Sequence, residues 1–94
     1  MEPDPVRDYV ITEHAAFEME RRGISDEMVR AILATPEQRL NVRAGRIVLQ
    51  SRMCIEVLKR IYLVRVFVDV DRHPAEVVTV YHASKILKYW REEQ

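Results

Sequence analysis

The run Ile61–Val70, I-Y-L-V-R-V-F-V-D-V, constrains the fold more than any other stretch of the chain. Its β-branched and aromatic residues favour an extended backbone, and it offers little polar relief on either side. It reads as a central strand, buried on both faces, so the rest of the chain must supply flanking strands and covering elements. One residue interrupts it. Arg65 places a guanidinium in the middle of the apolar run, and that charge has to find a carboxylate, a set of carbonyls or a ligand. An internal pair with Asp69 or Glu76 across the sheet is one reading, and a bound anion is the other.

The covering layer is written earlier, in Thr12–Ser25, T-E-H-A-A-F-E-M-E-R-R-G-I-S. The Thr12 hydroxyl can cap a helix over Glu13–Arg22, and Gly23 can end it in the left-handed conformation that a Cβ disfavours. Ala16, Phe17 and Met19 are expected to point inward, with Glu18 and Arg22 paired at i, i+4 on the outside. Ser25 caps a second helix, Asp26–Ala34, whose Met28, Val29, Ile32 and Leu33 form one apolar stripe. Thr35-Pro36 stops it, because the residue before a proline avoids the helical region.

Strand alternation follows. Residues 39–43 set Leu40 and Val42 against Arg39, Asn41 and Arg43. Ala44-Gly45 makes a tight turn. Residues 46–52 then set Ile47 and Leu49 against Arg46, Val48, Gln50 and Arg52. Residues 53–60 read as a loop or as a continuation of that hairpin. Beyond the central strand, Asp71-Arg72-His73-Pro74 makes a turn and Val77–Tyr81 returns beside it. Ser84 can cap a last helix that shares Ile86, Leu87 and Trp90 on one face. The expected fold is α+β: two N-terminal helices packed on an antiparallel sheet of three to five strands, with a C-terminal helix. The 94 residues suffice for one domain, 1–94, in which 1–7, with two prolines and several charges, reads as a flexible arm.

Formal net charge is zero, which argues against a dedicated nucleic-acid binder, yet the distribution is uneven. Acids dominate through Gln38. From Arg39 to Arg65 the bases Arg39, Arg43, Arg46, Arg52, Lys59, Arg60 and Arg65 face only Glu56, so a local anion-binding face is available. No apolar run approaches a membrane span, and the opening M-E-P-D-P is acidic, unlike a signal peptide. The single cysteine, Cys54, excludes an internal disulfide and suits a reducing cytoplasm. His14, His73, His82 and Cys54 lack metal-ligand spacing, and Gly23 and Gly45 make no phosphate-cradling loop. Neither metal nor cofactor is expected.

The segments E-H-A-A-F-E-M-E-R-R-G-I-S, P-E-Q, G-R-I-V-L-Q-S-R, Y-L-V-R-V-F-V-D-V-D-R and V-V-T-V-Y-H-A-S-K-I-L-K-Y-W resemble the small proteins of domain-of-unknown-function family 4258. That family is similar in fold to the RelE/ParE and BrnT toxin superfamily of small bacterial proteins encoded beside an antitoxin. The resemblance implies a compact, RelE-like sheet with two leading helices, and a cognate antitoxin as partner. It fixes function only weakly, since a shared fold hosts many activities. Many relatives carry an arginine where this chain has Glu18, and some carry arginine or lysine where it has His82. Ser84 also replaces an arginine of the S-A-R-K segment of BrnT-like proteins, so cations that would hold phosphate are missing here.

Cleavage of RNA by its own 2′-hydroxyl needs a base, a proton donor to the leaving oxygen, and cations around the phosphate. The candidate catalytic residues are His82, Arg65, His14 and Tyr81, and the candidate RNA-binding residues are Arg46, Arg52 and Lys85. Each has a plainer reading. His14 fits a histidine tucked against a helix start, His82 an exposed loop histidine, and Arg46 and Arg52 a solvated strand face. The expected function is a toxin-like protein acting on RNA, with metal-independent endoribonuclease activity. The alternatives are a non-catalytic nucleic-acid binder and a protein-interaction module that recruits a second chain, a homodimer partner included, through a sheet edge or the helical hairpin.

Overall fold

Five strands form one sheet in the computed structural model, which describes residues 3–92. Their order is β1 (Tyr9–Ile11), β5 (Ala75–Ala83), β4 (Arg60–Asp69), β3 (Arg46–Ile55), β2 (Gln38–Arg43). The chain is α+β, with α1 (Glu13–Arg22) and α2 (Asp26–Ala34) leading and the short α3 (Ile86–Tyr89) following β5. Strands β2 to β5 are an antiparallel meander, as hairpin-length links require. The sheet is nevertheless mixed. β1 runs parallel to β5, because the two helices carry the chain from one sheet edge to the other before β2 begins.

The helix boundaries follow their caps. Thr12 accepts a hydrogen bond from the Ala15 N–H, and Ser25 accepts one from the Met28 N–H. Gly23 has φ 71°, and Ile24 N–H donates to the Met19 carbonyl across the turn, which satisfies an orphan carbonyl of α1. The hairpin β3–β4 is longer than the alternation alone requires. β3 continues to Ile55, residues 56–59 turn, and Lys59 closes the turn at φ 55°.

The core lies between the helices and one face of the sheet. Ala15, Met19, Val29, Ile32 and Leu33 meet Ile47, Leu49, Val64, Val66, Val68, Val77 and Val80. Each fully buried valine, leucine or isoleucine contributes about 1.5–3 kcal/mol relative to exposure. The buried face of α1 differs from the expected one. Ala15, Glu18 and Met19 point inward, while Ala16 is exposed and Phe17 is 60% exposed. Glu18 does pair with Arg22, but from a buried position, which is tolerable because Arg21 also reaches it. Within the arm, Val6 is buried and its N–H donates to the Leu33 carbonyl, so 3–7 is anchored rather than free at that point. Ser84 does not cap α3; Lys85 occupies that position, without a side-chain cap bond.

Candidate functional site

Alternation along β4 and β5 sorts the candidate residues onto two faces. Arg65 is opposite Tyr81, and Val64 is opposite His82. Arg65 and Tyr81 therefore share the helix-free face, while His82 projects with Val64 into the helix side. Arg65 and His82 do not converge, because a strand period of two sends adjacent residues to opposite faces.

On the helix-free face Arg65 is half-buried and held by neutral groups. Its Nε donates to Gln50 Oε1 at 2.8 Å, and an Nη donates to the Tyr81 hydroxyl at 2.7 Å. Its guanidinium carbon lies 4.4 Å from the Tyr89 ring centroid and 5.3 Å from that of Phe67. Neither Asp69 nor Glu76 reaches it. Asp69 forms a two-point pair with Arg46, and Glu76 lies 3.9 Å from Arg72. Among the described residues, Arg65 belongs to no ion pair.

Arg46 and Arg52 lie on the same face, but each has a carboxylate of its own. Arg46 holds Asp69 at 2.6 Å, and the hydrogen bond from Arg46 keeps the Asp69 carboxyl below its ordinary range. Arg52 grips both oxygens of Glu37 and lowers the Glu37 carboxyl in the same way. Lys85 is exposed just beyond β5. The cationic excess of this face is thus concentrated at Arg65 rather than spread over the arginine row.

His82 belongs to a second cluster. Its ring is 4.6 Å from that of Tyr62, and the Arg60 guanidinium carbon lies 5.5 Å from the centroid of the same tyrosine ring. Burial pushes the His82 imidazole below its usual value, and the nearby Arg22 charge adds to this. Arg22 is itself occupied, donating to the Val80 carbonyl at 3.0 Å and pairing with Glu18. Glu18 is held below the ordinary carboxylate range, chiefly by its hydrogen bond from Arg21. His14 is exposed on α1, one helical turn before Glu18, and joins neither Arg65 nor Tyr81.

Gln50, fully buried, is the residue that sequence reasoning underrated. It orients Arg65 and also donates to the Gln38 side chain and the Tyr89 carbonyl. Its signal was present: a glutamine alternating onto the face of Arg46 and Arg52, directly after the apolar run of Ile47, Val48 and Leu49. The roles of Tyr62, Arg60 and Tyr89 had no such signal, since they arise from contacts distant in sequence.

Comparison with known proteins adds the family. No curated protein and no solved structure matches the chain. The family model described as Domain of unknown function (DUF4258) matches residues 11–82, from β1 through His82, so both clusters fall within it apart from the segment after β5. With that span covering most of its length, the chain belongs to the DUF4258 family.

Proposed function

We propose that this protein is a toxin-like RNA-binding protein that grips a phosphate of single-stranded RNA on the helix-free face of its sheet, through Arg65. One observation carries the reading: a half-buried guanidinium, fixed by Gln50 and Tyr81, without a carboxylate partner among the described residues. A cation oriented by neutral groups keeps its charge available for an anion, whereas a cation beside a carboxylate does not. Phe67 and Tyr81 stand beside it on the sheet, and aromatic rings beside cations suit the stacked bases of a single strand. The likeness to the RelE/ParE and BrnT superfamily, with an antitoxin as partner, belongs to this proposal and agrees with two helices leading into an antiparallel meander.

Cleavage on this face would let the RNA 2′-oxygen attack its phosphorus as its proton passes to solvent water, while the P–O5′ bond breaks. Arg65 would offset charge on the phosphate, and the Tyr81 hydroxyl would donate a proton to the leaving 5′-oxygen. Tyr81 can do so because it accepts from Arg65 through its oxygen and keeps its own proton free. His82 has no part in that step, since it faces the helices. The test is direct. Wild-type protein should retain single-stranded RNA at low salt, with affinity falling steeply as salt rises. Arg65→Ala should abolish most of this binding. Arg46→Ala with Arg52→Ala should flatten the salt dependence only slightly, because their carboxylates already neutralise them. On induced expression, growth arrest and loss of intact messenger RNA should be relieved by Arg65→Ala and not by His82→Ala. Harmless expression with messenger RNA intact overturns cleavage, and failure to retain RNA at low salt overturns the whole reading. A protein-interaction module would then be favoured by the exposed Val57, Leu58 and Ile61 around the β3–β4 turn.

A further inference from the structure

We propose that residues 85–91 lie on the helix-free face as an internal stand-in for an RNA strand, so that RNA binds only after this segment has moved away. The inference rests on the RNA-binding reading above and adds its control. The segment engages the face as a nucleotide strand would. Two consecutive flat rings, Tyr89 and Trp90, lie under two guanidinium groups, Arg65 at 4.4 Å and Arg52 at 4.3 Å. Backbone carbonyls of Tyr89 and Arg91 accept from the side-chain amides of Gln50 and Gln38, and the Arg91 N–H donates to Gln38 Oε1 at 3.1 Å. The groups that would meet bases and phosphates are thus already met by this chain, and the two occupants exclude each other.

The segment is also the element least able to hold itself in place. α3 has four residues, no side-chain cap and no buried residue, and Leu87 is 80% exposed. A helix of one turn has no stability of its own, so the segment stays on the sheet through its contacts with it, the edge-on packing of Tyr89 against Tyr81 included. Those contacts lower the apparent affinity for RNA by the fraction of molecules in which the face is open.

Loosening the segment in the full chain should therefore tighten RNA binding. Tyr89→Ser with Trp90→Ser removes both cation–ring contacts, and the dissociation constant for a short single-stranded RNA should fall about tenfold. Gln38→Ala, which keeps both rings, should tighten binding by a smaller factor. In the wild type, saturating RNA should shift Trp90 emission to the red as the ring leaves Arg52 for water. Weaker or unchanged binding by the loosened variants overturns the inference while leaving the RNA reading standing, provided the wild type binds in an Arg65-dependent way. Weaker binding specifically would make Tyr89 and Trp90 part of the RNA site. If the double variant does not fold, Gln38→Ala decides between the same outcomes. Absence of RNA binding by every form removes the RNA reading and this inference together.

Discussion

Replacing Arg65 by methionine separates what this residue does for the fold from what it does for a ligand. Gln50 is fully buried, and its side-chain oxygen has Arg65 as its partner. Removing the guanidinium strands that acceptor, and a buried unsatisfied acceptor costs about 1–3 kcal/mol. Tyr81 is only half-buried, and its hydroxyl proton is free to turn, so it adds little. Methionine replaces much of the arginine stem's packing. The expected loss is about 2 kcal/mol, which lowers the melting temperature of a domain this small by roughly 8–16 °C. Gln50→Met should cost about 1 kcal/mol, since it leaves the partly accessible Arg65 Nε to water but frees two further acceptors. Changing both residues removes donor and acceptor together, and the double variant should lose about 1–2 kcal/mol less than the sum. Urea denaturation of the four forms measures this coupling. Additive losses would show that Gln50 does not hold Arg65, and the orientation argument for the anion site would fall with it. The double variant should also be well folded yet unable to retain RNA.

Gly23→Val should destabilise the protein by about 1–2 kcal/mol, because φ is 71° there and a side chain must adopt a left-handed backbone. The new Cβ would also come within 3.2 Å of the Val57 side chain, and an unchanged denaturation midpoint would contradict the helix stop. The His82 imidazole is pushed below 6.5 in the folded chain, so the unfolded chain takes up the proton first as pH falls. Its contribution is therefore complete above 6.5 and is lost as pH drops through the folded value. Stability measured from about pH 7.5 down to about pH 5.5 should decline, and His82→Gln should remove part of that decline. The Asp69 carboxyl gives the same sign lower down, from 3.8 downward, and Asp69→Asn should flatten acid unfolding there.

Much of this fold is local, which is why it was legible. The caps at Thr12 and Ser25, the stop at Gly23, the turn at Gly45 and the alternation of β3 each depend on a few neighbouring residues. The face of α1 was not legible. Apolar residues occupy four of the positions from Ala15 to Met19, so the pattern allows two inward faces, and Phe17 suggests the wrong one. What decides is partly tertiary: Arg21 and Arg22 pair with Glu18 from the same helix, but the Val80 carbonyl of the sheet holds Arg22 inward beside it. The parallel pairing of β1 was hidden for a similar reason, since three residues carry no signal of direction. At the site, alternation correctly put Arg46, Gln50 and Arg52 on one face. It also held the information that Arg65 and His82 part company, once their strands are paired in register. That register is set by contacts far apart in sequence. The cover over Arg65 is more distant still, joining Gln50 to Tyr89 and Gln38 to Arg91.

The division of Tyr81 and His82 between two faces has a consequence for how such chains change over generations. Chemistry on this sheet is governed by parity: a residue at an odd step from Arg65's partner can never meet it, whatever its reactivity, without a slip of the whole strand. At the right parity, one substitution suffices. Tyr81→His, a single-base change from either tyrosine codon, would set an imidazole on the same face as the guanidinium, behind the position where the tyrosine hydroxyl now accepts its hydrogen bond. The reverse change would withdraw the imidazole and keep the grip. Under the RNA reading proposed above, the proton-transfer group on this face could thus be exchanged at one position while the core on the far side of the sheet stays as it is.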